Sequence, residues 1–501
     1  MDQSGITPNT SNQQLVINSD NESATALLQE KQSRRRENLN EVSFTEYMTV
    51  GILCFVNLIN YMDRFTIAGV LVDVKKEFDI GDDKAGFLQT VFVVAYMVFA
   101  PIFGYLGDRY SRRVIMSFGV GLWSMTTLLG SFAHDFAFFT FFRGLVGIGE
   151  ASYSTIAPTI ISDLFVGNIR SKMLAFFYFA IPVGSGLGYI VGSLAGAAAG
   201  NWRWGLRITP ILGAVALVLI YFFMQDPPRG HAEDSQMKPT SYRQDIRALI
   251  RNPSFMLSTL AFTCVAFVTG ALAWWGPQFI FLGLSMQPDV DVSIGGVSLT
   301  FGVITMVSGL LGVPLGAWLG SALRKRWPRA HPVICGLGLL VSAPAMTLAI
   351  VLTEGYYIAP FALMFIGEIA LNLNWAIIAD MLLYVVIPPR RSTAEAFQIL
   401  ISHMFGDAGS PYLVGVISES LKKSLSPVHD EAPTPLVEFK ALQYALFVTC
   451  FVEVIGGIFF LLTAIYIVRD KLRVERAIAE AEAQSAEPSH IAAQEGVGGG
   501  E

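Results

Sequence analysis

Asp63, Arg64 and Glu150 are charged residues set inside long apolar stretches. A charge at the centre of a membrane span costs about 2.5–3.5 kcal/mol even on insertion scales, so such groups usually face a cavity or a partner. Asp63 and Arg64 are adjacent, so on a helix their side chains diverge and each needs a partner on another helix. Arg143 and Glu150 are seven residues apart and share one helix face, two turns apart. An acid kept from water holds its proton more readily, which makes Asp63 and Glu150 candidates for proton coupling. Arg64, beside Asn60 and Tyr61, is the candidate for holding an anionic group such as a phosphate, or for holding the acid once it has lost its proton. The alternative is a static ion network that only ties the first helix to the fourth.

The second half of the chain offers Glu368, Asn372, Asn374 and Asp380 in one apolar run, and His403, Asp407 and Ser410 in the next. His403 and Asp407 are one helical turn apart and can interact, giving either a pH-sensitive pair or a hydrogen-bonded packing histidine. Arg143, Glu368, Asn374, His403 and Asp407 join Arg64, Asn60 and Tyr61 as candidate substrate-binding residues. Ser402, His403 and Asp407 cannot form a hydrolytic triad, because three residues on one helix cannot place a nucleophile against a base. Cys54, Cys264, Cys335 and Cys450 each fall within an apolar run and form no CxxC, which argues for no metal site and no obligatory disulfide.

These residues need membrane helices to position them. The chain has 501 residues, 53% hydrophobic and only 15% charged, where a soluble chain carries about a quarter charged residues. The apolar residues fall in runs of roughly twenty, the length of a membrane helix. Spans are expected at 48–72, 87–107, 113–133, 136–161, 171–197, 204–224, 255–283, 297–322, 332–352, 357–386, 393–420 and 441–468. The runs lack two-residue alternation, so the fold class is an all-α membrane protein of twelve transmembrane helices rather than a barrel. A hydrophilic linker at 225–253 separates an N-terminal six-helix half, 48–224, from a C-terminal one, 254–470. A polar head at 1–47 and a tail at 471–501 flank them. Within the linker, Arg243, Arg247 and Arg251 recur every four residues from Tyr242 to Asn252, with Ile246, Leu249 and Ile250 on another face. Such a helix could lie on an anionic leaflet or be a solvated connector.

Most of the 34 Lys and Arg fall on the side that a cytosolic N-terminus defines, so both termini are expected in the cytosol. Between spans two and three stands the charged turn Gly104-Tyr-Leu-Gly107-Asp108-Arg109-Tyr-Ser-Arg112-Arg113. Its glycines permit close helix approach, and its acid and arginines can pair across a helix end, which makes it a candidate gating motif. The segment Gly312 to Gly320, ending in Arg324-Lys325-Arg326, is a degenerate echo of it in the second half. That echo supports two related halves rocking about a midplane site. The glycine-rich run from Pro182 to Gly196 suits tight packing and bending.

The Gly104–Arg113 turn resembles the loop signature of the major facilitator superfamily, and Arg143-x-x-x-Gly147-x-Gly149 resembles that superfamily's fourth-helix motif. More specifically, the chain resembles the Spinster family of lipid transporters over about 48–470. The resemblance rests on the segments Asn57–Phe65, Arg143–Pro158, Phe179–Tyr189, Asn374–Ile377, Pro388–Phe397 and Ser402–Tyr412. The Arg-Arg-Ser-Thr-Ala-Glu-Ala-Phe version of the fifth segment is similar to the lysosomal branch more than to the sphingosine-1-phosphate branch. The resemblance implies proton-coupled export of lysophospholipids, such as lysophosphatidylcholine and lysophosphatidylethanolamine, from lysosome to cytosol. In the family the first-helix acid–arginine pair and the fourth-helix glutamate are the functional charges, which match Asp63, Arg64 and Glu150 here.

The expectation is thus a transporter, not an enzyme, in the lysosomal or late endosomal membrane. It takes a lysophospholipid or sphingolipid substrate, contacts membrane lipids, binds no nucleic acid, acts as a monomer and needs no cofactor besides a proton as coupling ion. The alternatives are a sphingosine-1-phosphate exporter at the plasma membrane and a non-transporting scaffold or receptor.

Overall fold

The computed structural model describes residues 42–107, 109–165, 167–227, 242–288, 290–324, 326–387, 390–426 and 433–495. Asp108 of the candidate gating motif, Lys325, Pro388 and most of the polar head lie outside the described residues.

The first half contains α1 (Phe44–Gly69), the short α2 (Leu71–Phe78), α3 (Asp82–Gly107), α4 (Arg112–Gly130), α5 (Phe136–Leu164), α6 (Gly167–Ala199) and α7 (Arg203–Phe223). A linker helix α8 (Tyr242–Ile250) leads to α9 (Pro253–Ser285), α10 (Ile294–Arg324), α11 (Ala330–Leu352), α12 (Ile358–Asn372) and α13 (Asn374–Val385). Then come α14 (Arg391–Ser402), a π-helical turn (His403–Asp407), α15 (Ser410–Leu425) and α16 (Pro435–Glu495). The helices start where the sequence supplies caps. Ser43 and Glu46 form a capping box on α1. Asn252 accepts from the Phe255 N–H at 3.1 Å, with Pro253 at the first helical position of α9.

Counting α12–α13 and α14–α15 as one broken rod each gives twelve long rods. Among the described residues nine helical segments are long and apolar enough to cross a membrane. The other three are α4, which starts on two arginines and has 19 residues, α5, which carries Arg143, Glu150 and Asp163, and the α14–α15 rod, which the π-turn interrupts. The α16 helix passes the expected 470 boundary without a break and runs to Glu495.

Burial follows the two halves. One apolar cluster, around Trp123, Tyr153 and Phe92, belongs almost wholly to the first half. Another, around Phe255, Leu339 and Phe460, belongs to the second. A third, including Val74, Trp274, Trp275 and Phe439, is built from both. It lies at the end of the bundle away from the linker, which is where the halves meet.

The glycines of α6 explain how that seam closes. A Cβ at Gly184, Gly188 or Gly192 would strike the Leu58, Met62 or Thr66 carbonyl of α1, and one at Gly186 would strike the Gly302 carbonyl of α10. Three glycines thus seat α6 within its own half, and the fourth seats it against the other half.

Candidate functional site

The adjacent charges of α1 find separate partners. Arg64 donates to Glu150 Oε2 at 3.2 Å, and both side chains are almost entirely shielded. Arg143 Nη1 lies 3.8 Å from Asp63 Oδ2 and also donates from Nη2 to the Arg64 carbonyl at 3.2 Å. Asn60 is one turn above Arg64; with its amide nitrogen toward Glu150, the orientation that satisfies both ends of the amide, it donates to Oε2 at 2.6 Å and Oε1 at 3.1 Å.

Arg64 is further held by ring faces. Its Cζ lies 4.9 Å from the ring centroids of Tyr61 and Phe92 and 5.6 Å from that of Tyr96. Its buried Nε has no hydrogen-bond partner. The guanidinium is therefore only partly satisfied, in a pocket of one carboxylate and three aromatic rings.

Asp63 is oriented differently. It accepts hydrogen bonds from Thr127 of α4 at 3.2 Å and Thr209 of α7 at 2.5 Å, and those helices pack within the first half. The two candidate proton carriers are thus unlike: Glu150 shares Arg64 with the aromatic pocket, whereas Asp63 is fixed between Arg143 and two threonines.

The aromatic pocket reaches across to the second half. Tyr96 of α3 packs edge-on against His403, with ring centroids 5.9 Å apart. His403 Nδ1 lies 2.8 Å from Asp407 Oδ1, and both residues sit in the π-turn. Gly406 has non-helical torsions there, and its Cα lies so close to Ala266 and Phe267 of α9 that a side chain would clash. Single π-turns of this kind recur at functional sites, because they re-aim side chains out of the helical register.

Other second-half candidates are dispersed. Glu368 accepts from Ser308 at 2.6 Å and Thr305 at 3.4 Å, both on α10, with no cation beside it among the described residues. Asn374 folds back on the Leu371 carbonyl at 2.8 Å where α12 gives way to α13. Asp380 pairs with Arg324 at 2.8 Å at the rim.

That last pair has a counterpart in the gating motif. Arg112 binds Asp163 at the end of α5 at 2.6 Å, as Arg324, the last residue of α10, binds Asp380 of α13. Arg109 stacks on Tyr105 at 3.8 Å, and Arg113 reaches the Met224 carbonyl. Gly107 faces Ile156 of α5, while Gly104 faces open space.

Two groups were missed in the sequence. At the end away from the linker, Asp82 of α3 binds Lys75, lies 2.6 Å from Lys422 and accepts from Ser418 at 2.7 Å, while its own N–H reaches Glu419 at 3.2 Å. This network spans the two halves, and Gly415 and Gly86 allow the backbones to touch beside it. In α16, fully buried Glu453 contacts Ser342 of α11 at 2.6 Å, and Ser342 donates onward to the Gly367 carbonyl at 2.9 Å. Glu453 is a lone acid in an apolar run, which was a visible signal. Asp82 looks like an ordinary residue at a span end.

Every cross-half hydrogen bond, ring contact and glycine approach named above involves the part of the bundle between the charged pocket and the Asp82 network. Among the described residues, none of these contacts joins the ends that carry Arg112, Arg324 and the linker.

The comparisons agree with this architecture. A sequence model of the Major Facilitator Superfamily matches residues 53–411, so the class is that of its membrane transporters, multi-pass and not enzymes. Protein spinster of Drosophila melanogaster is 60% identical, covering 89% of this chain and 81% of that one. Protein spinster homolog 1 of Homo sapiens is 52% identical over 85% of this chain and 82% of its own. A solved bacterial homolog to the human lysosomal transporter Spinster, inward-facing and unoccupied, superposes with a TM-score of 0.75 at 20% identity, covering 86% of this chain and 99% of that one. The chain belongs to the Spinster family of the Major Facilitator Superfamily.

Proposed function

We propose that this transporter exports lysophospholipids from the lumen of the lysosome or late endosome to the cytosol, with both termini cytosolic and a proton as coupling ion. The observation that carries the reading is the Arg64–Glu150 pair, one carboxylate against one incompletely satisfied guanidinium. In an acidic lumen Glu150 takes up a proton and loses its charge. Arg64 then lacks its counter-ion, and the phosphate of a lysolipid takes that place, bound by two N–H groups. Tyr61, Phe92 and Tyr96 line the approach and accept the apolar part of the lipid. When the halves open to the near-neutral cytosol, Glu150 gives up the proton, reclaims Arg64 and displaces the phosphate.

Proton and lipid are thus loaded together and released together, which is symport. With cytosolic termini, the end closed by Asp82 and Lys422 is the luminal one, and the conformation faces the cytosol. Asp63, fixed between Arg143 and two threonines, anchors Arg143. His403, touching Tyr96 and bonded to Asp407, reports the occupancy of the pocket to the second half. Relatives named for Spinster, and the likeness to a bacterial homolog of the human lysosomal transporter, support this assignment.

Lipid profiling of lysosomes from cells with and without the protein tests it. Loss of the protein, Arg64→Ala and Glu150→Gln should each leave lysophosphatidylcholine and lysophosphatidylethanolamine trapped, with the variants still reaching the membrane. Normal clearance by either variant removes that residue from the mechanism. Accumulation of sphingosine-1-phosphate instead would move the assignment to a plasma-membrane exporter of that lipid.

A further inference from the structure

One cluster plays no part in this cycle. Where α8, the start of α9, the turn after α13 and the emerging α16 converge, a cavity of about 240 Å³ is lined by Arg251, Arg390 and Arg473, with Asn252 and Asp470 beside them. It is smaller than the roughly 300–1,000 Å³ of pockets that hold whole drug-sized ligands, so it suits a headgroup rather than an entire lipid.

The arginines are unequally engaged. Arg390 donates to Asp245 at 2.8 Å, which ties the linker helix to the second half. Arg473 lies 3.5 Å from Asp470, a buried acid already receiving the Ser254 N–H and hydroxyl at 3.2 and 2.7 Å. Arg251 is exposed and makes no ion pair or side-chain hydrogen bond among the described residues. Three cations thus face one lining acid that is largely satisfied elsewhere.

The surroundings are those of a membrane surface. Asp245 and Leu249 turn α8 inward, leaving Arg243, Arg247 and Arg251 exposed alongside Ile250, which is 55% exposed. Leu472 of α16, 46% exposed, stands next to Arg473. The cavity lies where α9 and α16 leave their apolar spans, so exposed apolar side chains flank a cationic hollow at the height of lipid headgroups.

We infer that this cavity binds the phosphate-bearing headgroup of an anionic lipid in the leaflet that faces the linker. The inference rests on the membrane topology in the proposed function, but not on the transported substrate. A headgroup seated there bridges the linker helix, the α13–α14 turn and the last helix, so it fastens the linker to the second half.

The test uses the full-length protein in neutral detergent, titrated by native mass spectrometry with short-chain phosphatidylinositol 4-phosphate, short-chain phosphatidylcholine, inositol 1,4-bisphosphate and inorganic phosphate. The phosphoinositide should bind about tenfold or more tighter than phosphatidylcholine, and Arg251→Gln with Arg473→Gln should erase most of that difference. Lysophosphatidylcholine transport by this double variant in liposomes lacking anionic lipid should be unchanged. Equal retention of phosphatidylcholine and phosphoinositide, or undiminished binding by the variant, overturns the site. Binding of inositol bisphosphate or phosphate as tight as that of the lipid shows a soluble-anion site and overturns the lipid assignment. If the double variant fails to fold, Arg251→Gln alone, on an exposed side chain, and the wild-type headgroup comparison decide the matter. Because the readout is binding, loss of the transport reading leaves it standing.

Discussion

The two halves keep the acids buried deep in their spans in opposite ways. In the first, Asp63 faces Arg143 and Glu150 faces Arg64. In the second, Glu368 and Glu453 rest on serine and threonine hydroxyls, with no cation beside either among the described residues. Paired charges in a low-dielectric interior are rigid, because removing one partner strands the other. An acid held by hydroxyls depends far less on its charge, since an amide can take its place in the same bonds. In the proposed cycle the first half therefore holds the charge that substrate and proton compete for, and the second supplies surfaces that move against it.

The sharpest way to break this contrast is Arg143→Ala. It leaves Asp63 charged and buried, and should cost about 3–5 kcal/mol. The detergent unfolding midpoint should fall steeply, and the double variant with Asp63→Ala should recover much of the loss. An unchanged midpoint for Arg143→Ala would mean that the pair is not the scaffold described here.

The cross-half network comes next. Asp82→Asn leaves Lys75 and Lys422 facing each other without the acid between them, and should weaken the closed end by about 1–3 kcal/mol. Spin labels on α3 and α15 near that end should show a broader, longer distance distribution than in the wild type. Identical distributions would show that glycine contacts alone hold the seam.

The second half should be more forgiving. Glu453→Gln keeps the contact with Ser342 and should change stability by less than about 1 kcal/mol, whereas Glu453→Ala removes that contact, leaves a buried void and costs about 1–3 kcal/mol. Equal losses from the two substitutions would show that the charge, not the bond, matters there.

The smallest effect is expected at Glu77, on the short α2, which binds Arg203 at 2.6 Å and Trp202. Partial burial pushes its carboxyl up, yet the hydrogen bonds from Arg203 and Trp202 prevail and hold it below its ordinary range. A depressed carboxyl contributes stability above its unfolded-state range and loses it only as pH falls through its lowered folded value. The contact should therefore persist at mildly acidic pH and fade in stronger acid. Because the side chain is 41% exposed, Glu77→Gln should cost only about 0.2–1 kcal/mol. A full loss between pH 7 and 5, read from unfolding midpoints, would contradict this sign.

Much of this architecture was legible because apolar length is a strong signal: α7 at Arg203–Phe223 lies within one residue of the run expected at 204–224. Breaks were not legible. The α12–α13 junction at Leu373 and the π-turn at His403–Asp407 carry no proline, and tertiary contacts of Gly316 and Gly406 shape them. The α16 helix continues through a polar tail, because alanine and glutamate favour helix even outside the apolar layer.

Within the site, one-turn spacing could pair His403 with Asp407, and adjacency could send Asp63 and Arg64 to different helices. Spacing could not say which helices. That choice separates Glu150, sharing Arg64 with the aromatic pocket, from Asp63, locked to Thr127 and Thr209. Asp82 and Lys422 stand at span ends far apart in sequence, where charges are ordinary, so nothing in their spacing announced a bond between halves.

The central claim is that a proton on Glu150 frees Arg64 for the lipid phosphate. Lysophosphatidylcholine efflux from liposomes containing the purified protein, with and without an imposed pH gradient, tests it in wild type and Glu150→Gln. The account predicts that the gradient accelerates wild-type efflux and leaves the variant's residual rate unaffected. A wild type indifferent to the gradient, or a variant that still responds to it, would contradict the claim.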